Sequence, residues 1–138
     1  MRGQPRRIRV YIVEDSPLFI GAMADLLNEI GSVEIVGSAG EAALAAEEIA
    51  RLNPDVVTLD IQLTAGTGLD VLKRVKANRE NSTVAIIFSN LVENGVHRLC
   101  SELGADFIFD KSYDFGMLEE VLRSMQYVGG TETCRAAG

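Results

Sequence analysis

The chain has 138 residues, the length of one ordinary domain, and apolar residues make up 47% of it. Its formal net charge of −7 argues against nucleic acid as the main partner, because phosphate backbones attract basic surfaces. No apolar run reaches the length of a membrane span, and Cys100 and Cys134 provide neither a disulfide framework nor metal-ligand spacing. We therefore expect one globular domain in a reducing cytoplasm, without a nucleic-acid or membrane partner.

The first predicted elements are a strand over Ile8–Val13, which ends in the acidic pair Glu14-Asp15, and a helix that begins at Ser16-Pro17. A serine N-cap followed by proline at the first helical position is a typical helix start. The apolar residues then recur at steps of three and four, which predicts one buried helix face ending before Gly31. Its members are Leu18, Phe19, Ala22, Met23, Leu26, Leu27 and Ile30.

Four more strands alternate with four more helices along the chain. The strands are predicted over 33–36, Val56–Leu59, 84–88 and 107–109. The second helix is predicted over 41–52, with Leu44, Ile49 and Leu52 in the core, and the third follows a Thr67 cap, with Leu69, Leu72 and Val75 inward. The fifth helix is predicted over 115–125. The fourth helix is predicted from the apolar residues Val92, Val96, Leu99, Cys100 and Leu103.

Strict alternation of strands and helices predicts an α/β fold with a doubly wound, five-stranded parallel sheet and helices on both faces. The flavodoxin-like strand order 2-1-3-4-5 is the usual arrangement for this number of strands. We expect one domain over 8–126, with flexible tails over 1–7 and 127–138. Gly129-Gly130 begins a stretch without a core pattern.

Four of the five strands end in polar residues. Glu14-Asp15 follows the first strand and Asp60 the third, while Ser89 ends the fourth and Lys111 lies at the end of the fifth. In open α/β sheets, ligands bind at the carboxyl edge, beside the point where the strand order reverses. With order 2-1-3-4-5, that point lies between the first and third strands, so the three carboxylates should face one another.

Three crowded carboxylates repel one another, and a cation relieves the repulsion. Oxygen ligands without His or Cys favour a hard ion such as Mg²⁺, and Mg²⁺ with the Lys111 ammonium would bring the formal charge to zero. A carboxylate can also attack phosphorus and form an aspartyl-phosphate. Asp60 is the predicted nucleophile, with the metal, Lys111 and Ser89 each available to one phosphoryl oxygen.

These segments together resemble the receiver domain of two-component response regulators over about residues 8–125. The segments are Val13-Glu14-Asp15-Ser16, Val57-Thr58-Leu59-Asp60, Ile87-Phe88-Ser89 and Phe109-Asp110-Lys111. The resemblance implies that Asp60 is the phosphoacceptor, that Ser89 is the switch hydroxyl and that Lys111 pairs with the phosphoryl group. It also implies an acidic pair, Glu14 and Asp15, with Asp15, Asp60 and the Gln62 main-chain carbonyl directly on Mg²⁺, and a glycine, Gly68, opening the third helix.

Four positions depart from the family pattern. Ser112 stands where proline usually follows the lysine after a cis peptide bond, and a non-proline cis bond would cost roughly 3 kcal/mol. Thr64 also stands where proline is usual, Ile108 holds the aromatic switch position, and Asn90 follows the switch hydroxyl. Phe107 and Phe109 should point to the opposite face of the strand from Ile108. We expect the departures to affect the relay of the signal more than phosphorylation itself.

The resemblance predicts a stand-alone receiver that accepts a phosphoryl group on Asp60 from a histidine kinase or a histidine phosphotransfer protein. It would then switch, or relay the phosphoryl group to, a protein partner. The expected contact surface is the fourth helix, fifth strand and fifth helix. Beyond self-phosphorylation and autodephosphorylation, no enzyme activity is expected.

Three other hypotheses stay open at this point. A receiver-like interaction scaffold could work without phosphorylation, which the Ser112 and Ile108 departures favour. A small phosphatase working through an aspartyl-phosphate usually has a second aspartate two residues later, and Gln62 occupies that position. Flavin or nucleotide binding fits the fold class only, since the turn after the first strand is acidic and lacks glycine.

Overall fold

The computed structural model describes residues 7–78, 82–90 and 94–130. Within these residues, one parallel sheet has the strand order β2-β1-β3-β4-β5. Its strands are β1 (Ile8–Val13), β2 (Val33–Ala39), β3 (Val56–Leu59), β4 (Val84–Ser89) and β5 (Phe107–Asp110). The helices are α1 (Pro17–Ile30), α2 (Ala42–Leu52), α3 (Gly68–Ala77), α4 (Asn94–Glu102) and α5 (Met117–Gly130). The predicted doubly wound fold and strand order are confirmed.

The sheet separates two hydrophobic clusters, because successive residues of a strand point to opposite faces. Val10 and Ile12 of β1 pack with α1 and α5, whereas Tyr11 and Val13 pack with α2, α3 and α4. The central strand β3 is buried at each of its four residues, as its continuous apolar sequence indicates. The carboxyl ends of β1 and β3 therefore emerge side by side from a closed core.

The predicted helix starts are present as side-chain caps. The Phe19 N–H donates to Ser16 Oγ at 3.3 Å at the start of α1, and the Asp70 N–H donates to Thr67 Oγ1 at 3.3 Å at the start of α3. Gly31 ends α1 with a positive φ of 73°, a conformation that glycine adopts without a steric penalty. These local signals position the loops that carry the polar strand ends.

Four elements extend beyond their predicted ends: β4 and β5 by one residue each, and β2 and α5 by more. β2 continues to Ala39, because an edge strand is only partly buried and tolerates polar and small residues. Gly37 of β2 is required there, since a Cβ would lie 2.8 Å from the Tyr11 ring. α5 begins at Met117 rather than Phe115 and continues to Gly130, four residues into the predicted C-terminal tail.

Four predicted core residues are exposed, and Ala22 of α1 is one of them. Leu18 is 87% exposed, Leu44 46% and Leu99 40%, because each lies on the part of its helix turned away from the sheet. Val92 and the tail residues 1–6 and 131–138 lie outside the described residues. In the described part of the chain, no helix has the length and apolar character needed to cross a membrane. The cytoplasmic location stays a prediction.

Candidate functional site

The acidic side chains at the ends of β1 and β3 meet at the carboxyl edge of the sheet. Val13 pairs with Leu59 in the strand register, and the Asp60 N–H donates to the Val13 carbonyl at 2.9 Å. One carboxylate oxygen from each of Glu14, Asp15 and Asp60 lies within 4.8 Å of the others. Glu14 and Asp60 are buried, at 2% and 8% exposure, whereas Asp15 is exposed to solvent.

Among the described residues, Lys111 supplies the one ammonium that contacts the acidic cluster of Glu14, Asp15 and Asp60. Its Nζ donates to Glu14 Oε2 at 2.9 Å and to Asp60 Oδ2 at 3.1 Å. The Lys111 N–H donates to the Ser89 carbonyl at 3.1 Å, which ties the end of β5 to the end of β4. The predicted convergence of the strand ends on Asp60 is therefore present for Glu14, Asp15 and Lys111.

The electrostatics of the site follow from its burial. Burial raises the pKa of Glu14, and the nearby Asp60 charge raises it further, against the opposing effect of the Lys111 hydrogen bond. Burial lowers the pKa of Lys111, but its hydrogen bonds to Glu14 and Asp60 outweigh that effect and leave the pKa above its usual value. Lys111 is thus charged at neutral pH, and its single positive charge is smaller than the formal charge of three carboxylates.

A hard divalent cation fits this donor set. All the converging ligand atoms are carboxylate oxygens, and Mg²⁺ is usually held by one or two carboxylates with the remaining positions left to water. The Gln62 N–H donates to Asp60 Oδ1 at 3.4 Å and keeps the loop after β3 close to the carboxylate. The metal-ligand role of the Gln62 carbonyl stays a prediction.

Gly68 fixes the backbone beneath Asp60. A Cβ at this position would lie 2.1 Å from the Asp60 carbonyl oxygen, much closer than atoms can approach, so only glycine fits. The Gly68 N–H donates to the Ile61 carbonyl at 2.9 Å, which closes the loop onto the start of α3. The predicted opening glycine of the third helix therefore sets the distance between α3 and the end of β3.

Ser89 is the last residue of β4 and is 4% exposed. It pairs with Asp110 in the strand register, one residue before Lys111, so it lies at the same sheet edge as the acidic cluster. Asn90, which follows it, is exposed. The switch role of the Ser89 hydroxyl stays a prediction.

The two positions where proline is usual in the family use their N–H groups here. The Ser112 N–H donates to Asp110 Oδ1 at 2.7 Å, and the Thr64 N–H donates to the Gly40 carbonyl at 3.0 Å. Proline could supply neither donor. The peptide bond before Ser112 is trans, so the loop accommodates serine with an ordinary peptide bond.

Ile108 packs into the cluster formed with α2, α3 and α4, whereas Phe109 packs into the cluster formed with α1 and α5. Phe107 stacks on Phe109 at 5.7 Å between ring centroids. The prediction that these two rings point away from the face of Ile108 is therefore confirmed. The face that holds Ile108 has no aromatic side chain at the usual switch position.

Sequence reasoning missed three supporting groups. The ring of Phe19 lies 4.6 Å below the Lys111 ammonium, and the Thr64 hydroxyl donates to Asp15 Oδ2 at 3.2 Å. Asp110 accepts the N–H groups of Ser112 and Tyr113. Only Asp110 carried a usable signal, since aspartate often accepts N–H groups two or three residues later in a turn.

The fold and the acidic edge define a class: doubly wound α/β domains with a carboxylate cluster and a lysine at the switch point of the sheet. The family model for the response regulator receiver domain matches residues 10–123. The chain belongs to this family, and it is a receiver domain of two-component signalling.

Curated relatives include protein-glutamate methylesterase/protein-glutamine glutaminase 2 of Xanthomonas oryzae pv. oryzae, 34% identical over 127 residues and 86% of this chain. A methylesterase/glutaminase of Albidiferax ferrireducens is 39% identical over 75% of this chain. The chain spans 35% of the first relative and 28% of the second, or about a third of their length.

Solved receiver domains have the same fold. The signal receiver domain of NarL from Mycobacterium tuberculosis has a TM-score of 0.79 at 27% identity, covering 89% of this chain and 98% of that one. The response regulator domain of Thermotoga maritima CheB has a TM-score of 0.74 at 26% identity, covering 91% of this chain and 97% of that one. The similarity therefore extends over nearly the whole of each receiver.

Proposed function

We propose that this receiver accepts a phosphoryl group on Asp60 from a phosphohistidine donor in a Mg²⁺-dependent reaction. The observation that carries the proposal is the contact of one ammonium with two buried carboxylates, Glu14 and Asp60, beside a third at Asp15. A carboxylate nucleophile needs its charge balanced by groups that the incoming phosphoryl oxygens can share. This cluster supplies the lysine for that purpose and a donor set for a divalent cation.

The transfer makes one bond and breaks one. A carboxylate oxygen of Asp60 forms a P–O bond while the P–N bond of a phosphohistidine, protonated on its other ring nitrogen, breaks. The bonding electron pair stays on the ring nitrogen, and the imidazole leaves in its neutral form. Lys111 is placed to contact a phosphoryl oxygen, and the Ser89 hydroxyl is the candidate for another.

Asp15, Asp60 and the Gln62 carbonyl would hold Mg²⁺, with Glu14 beside them, and the bound ion would supply positive charge for the phosphoryl oxygens. Three carboxylates, one ammonium and one divalent cation sum to a formal charge of zero. Two carboxylates and a lysine alone could form an ordinary buried ion cluster. The exposed Asp15 beside them favours a site that is open to an ion from solvent.

The donor is a histidine kinase or a histidine phosphotransfer protein, and the output is a protein partner. Exposed apolar side chains lie on the proposed output surface of α4, β5 and α5: Leu99, Phe107 and Met117, with 40%, 38% and 39% exposure. Such side chains are suited to a partner that binds and dissociates. We propose that this chain acts as a phosphoacceptor with autodephosphorylation, and not as an enzyme with an external substrate.

The test is incubation with Mg²⁺ and phosphoramidate, followed by intact-mass measurement. We expect a gain of one phosphoryl group on the wild type, no gain on Asp60→Asn and a normal gain on Asp25→Asn, a control carboxylate exposed on α1. Lys111→Ala should slow the gain by about 10²-fold, the effect of losing one charge-stabilising donor. An equal gain on Asp60→Asn, or none on the wild type, would contradict the proposal.

The alternative is a receiver-like scaffold that works without phosphorylation. The Ser112 departure gives this alternative less support than the sequence suggests, because Ser112 hydrogen-bonds to Asp110 while Lys111 still contacts Asp60. Ile108 remains in its favour. Titration with Mg²⁺ separates the two hypotheses. A scaffold with a lost site would show no saturable Mg²⁺ binding, whereas the phosphoacceptor should bind one ion.

A further inference from the structure

The Lys111 ammonium has a neighbour that is not a carboxylate. Besides Glu14 Oε2 and Asp60 Oδ2, it lies 4.6 Å from the centroid of the Phe19 ring, on its face. The negative face of an aromatic ring attracts an ammonium within about 6 Å, and the attraction increases where the ammonium is shielded from water. The side chain of Lys111 is only 12% exposed, so this contact is largely shielded.

Three contacts fix Phe19: one of its backbone and two of its ring. Its backbone is in the first turn of α1, where its N–H donates to Ser16 Oγ. Its ring packs edge-on against Phe88 of β4 at 5.7 Å and against Phe115, just before α5, at 5.5 Å. The ring therefore has a fixed place relative to the sheet edge, which a long lysine side chain by itself does not have.

Lysine needs such support because its ammonium is a point charge on a flexible four-carbon chain. In the structure it bridges two carboxylates, yet transfer requires it to contact an oxygen of the phosphoryl group on Asp60. A carboxylate partner competes with that new oxygen for the ammonium N–H groups. An aromatic face accepts no strong hydrogen bond, so it attracts the ammonium in both arrangements.

We propose that Phe19 is a positioning residue that keeps the Lys111 ammonium at the reaction site while its hydrogen bonds move from carboxylate to phosphoryl oxygen. The inference rests on the proposed phosphoacceptor function for its kinetic part. Replacing the ring with an aliphatic side chain should then lower the phosphorylation rate about tenfold, the range of a shielded cation–π contact. Phe19→Tyr keeps the ring face and should retain most of the rate.

The matched control is Phe109→Leu. Phe109 belongs to the same aromatic group, but its ring contacts Phe88 and Phe107 rather than Phe19. A purely structural role for the aromatic group predicts that Phe19→Leu and Phe109→Leu slow phosphorylation equally. The positioning role predicts a loss of rate in Phe19→Leu alone.

Two measurements on each variant decide the matter. The first is the phosphorylation rate as a function of phosphoramidate concentration with saturating Mg²⁺, which separates donor binding from the limiting rate. The second is the NMR shift of the Lys111 ε-methylene group, assigned by its loss in Lys111→Arg, because a proton over a ring face is shifted upfield. We expect Phe19→Leu to lose the upfield shift and about tenfold in the limiting rate, and Phe19→Tyr to keep both.

An unchanged Lys111 shift in Phe19→Leu would overturn the inference, as would equal rate losses in Phe19→Leu and Phe109→Leu. If the wild type accepted no phosphoryl group, the proposed function would fail, and the kinetic part of the inference with it. The NMR shift would still decide independently whether Phe19 holds Lys111. The two failures are therefore distinguishable.

Discussion

The two faces of the sheet are packed with different kinds of side chain. The face under α1 and α5 carries the aromatic group, in which the rings of all five phenylalanines of the chain are in contact: Phe19, Phe88, Phe107, Phe109 and Phe115. The face under α2, α3 and α4 is packed with aliphatic and alanine side chains, with Tyr11 as the aromatic member of its cluster. The acidic site lies at the carboxyl edge of the sheet, which borders both faces.

The difference shows how two kinds of packing serve one site. On the aliphatic face, close approach of Gly68 to the Asp60 carbonyl fixes the backbone of the proposed nucleophile. On the aromatic face, the group ends in Phe19, whose ring lies against the Lys111 ammonium. Tight backbone packing thus positions the carboxylate, and large side chains position its cationic partner.

The largest expected effect comes from Gly68→Ala on the aliphatic face. A Cβ placed 2.1 Å from the Asp60 carbonyl must displace either α3 or the end of β3, and we expect a loss of about 3 kcal/mol in the free energy of unfolding. Phosphorylation should fall with it, because Asp60 moves. Chemical denaturation and the phosphoramidate assay measure the two effects.

The control for that prediction is Gly21→Ala in the interior of α1, on the other side of the sheet. A Cβ there meets no atom within 4 Å, so alanine should stabilise the helix by roughly 0.5 to 1 kcal/mol. A stability loss at Gly21 as large as at Gly68 would show that close backbone packing is not special to the aliphatic face.

The second prediction compares neighbouring core residues of β4, Phe88 and Ile87, which point to opposite faces. Phe88→Leu should lower the free energy of unfolding by about 2 kcal/mol, and Ile87→Val by about 1 kcal/mol. Because Phe88 contacts Phe19, its replacement should also weaken the upfield shift of the Lys111 ε-methylene group. The same shift should be unchanged in Ile87→Val, and a change there would remove the distinction between the faces.

The sequence was sufficient for the fold and for the acidic site. Parallel strands place their carboxyl ends at one edge, so the positions of Glu14, Asp15, Asp60 and Lys111 at strand ends determine that they meet. The caps at Ser16 and Thr67 were equally local and equally predictable. These features depend on a strand or helix boundary together with the topology of the sheet.

Features that depend on which side chains meet between elements could not be predicted. Phe19 occupies an ordinary core position in the periodicity of α1, and its contact with Lys111 brings together residues 92 positions apart, by the difference 111 − 19. Leu18 matched the same periodicity, yet it lies on the part of α1 turned away from the sheet and is 87% exposed. β2 was predicted too short because Gly37 and Ser38 interrupt its apolar pattern.

The third prediction concerns the loops on either side of the site, where Thr64 and Ser112 replace prolines that are usual in the family. Ser112→Pro removes the donor to Asp110 Oδ1, and Thr64→Pro removes the donor to the Gly40 carbonyl. Each loss should lower the free energy of unfolding by about 1 kcal/mol, measured by denaturation. A gain in stability from either proline would mean that the loop readily adopts the usual family conformation.

An effect of similar size is expected for Tyr11→Phe, at the aromatic residue of the aliphatic face. The Tyr11 hydroxyl donates to Glu48 Oε1, and losing this bond should cost about 1 kcal/mol near neutral pH. Burial, followed by the bond to Glu48, raises the pKa of Tyr11 above its usual value of about 10. The contribution of Tyr11 to stability is therefore complete below about pH 10 and is lost as the pH rises towards the higher pKa of the folded state. Denaturation at about pH 8 and pH 11 should show the stability difference between wild type and Tyr11→Phe shrinking at the higher pH. A difference independent of pH would mean that the hydroxyl ionises as easily in the folded protein as in the unfolded chain, and that this face holds its aromatic residue by packing alone.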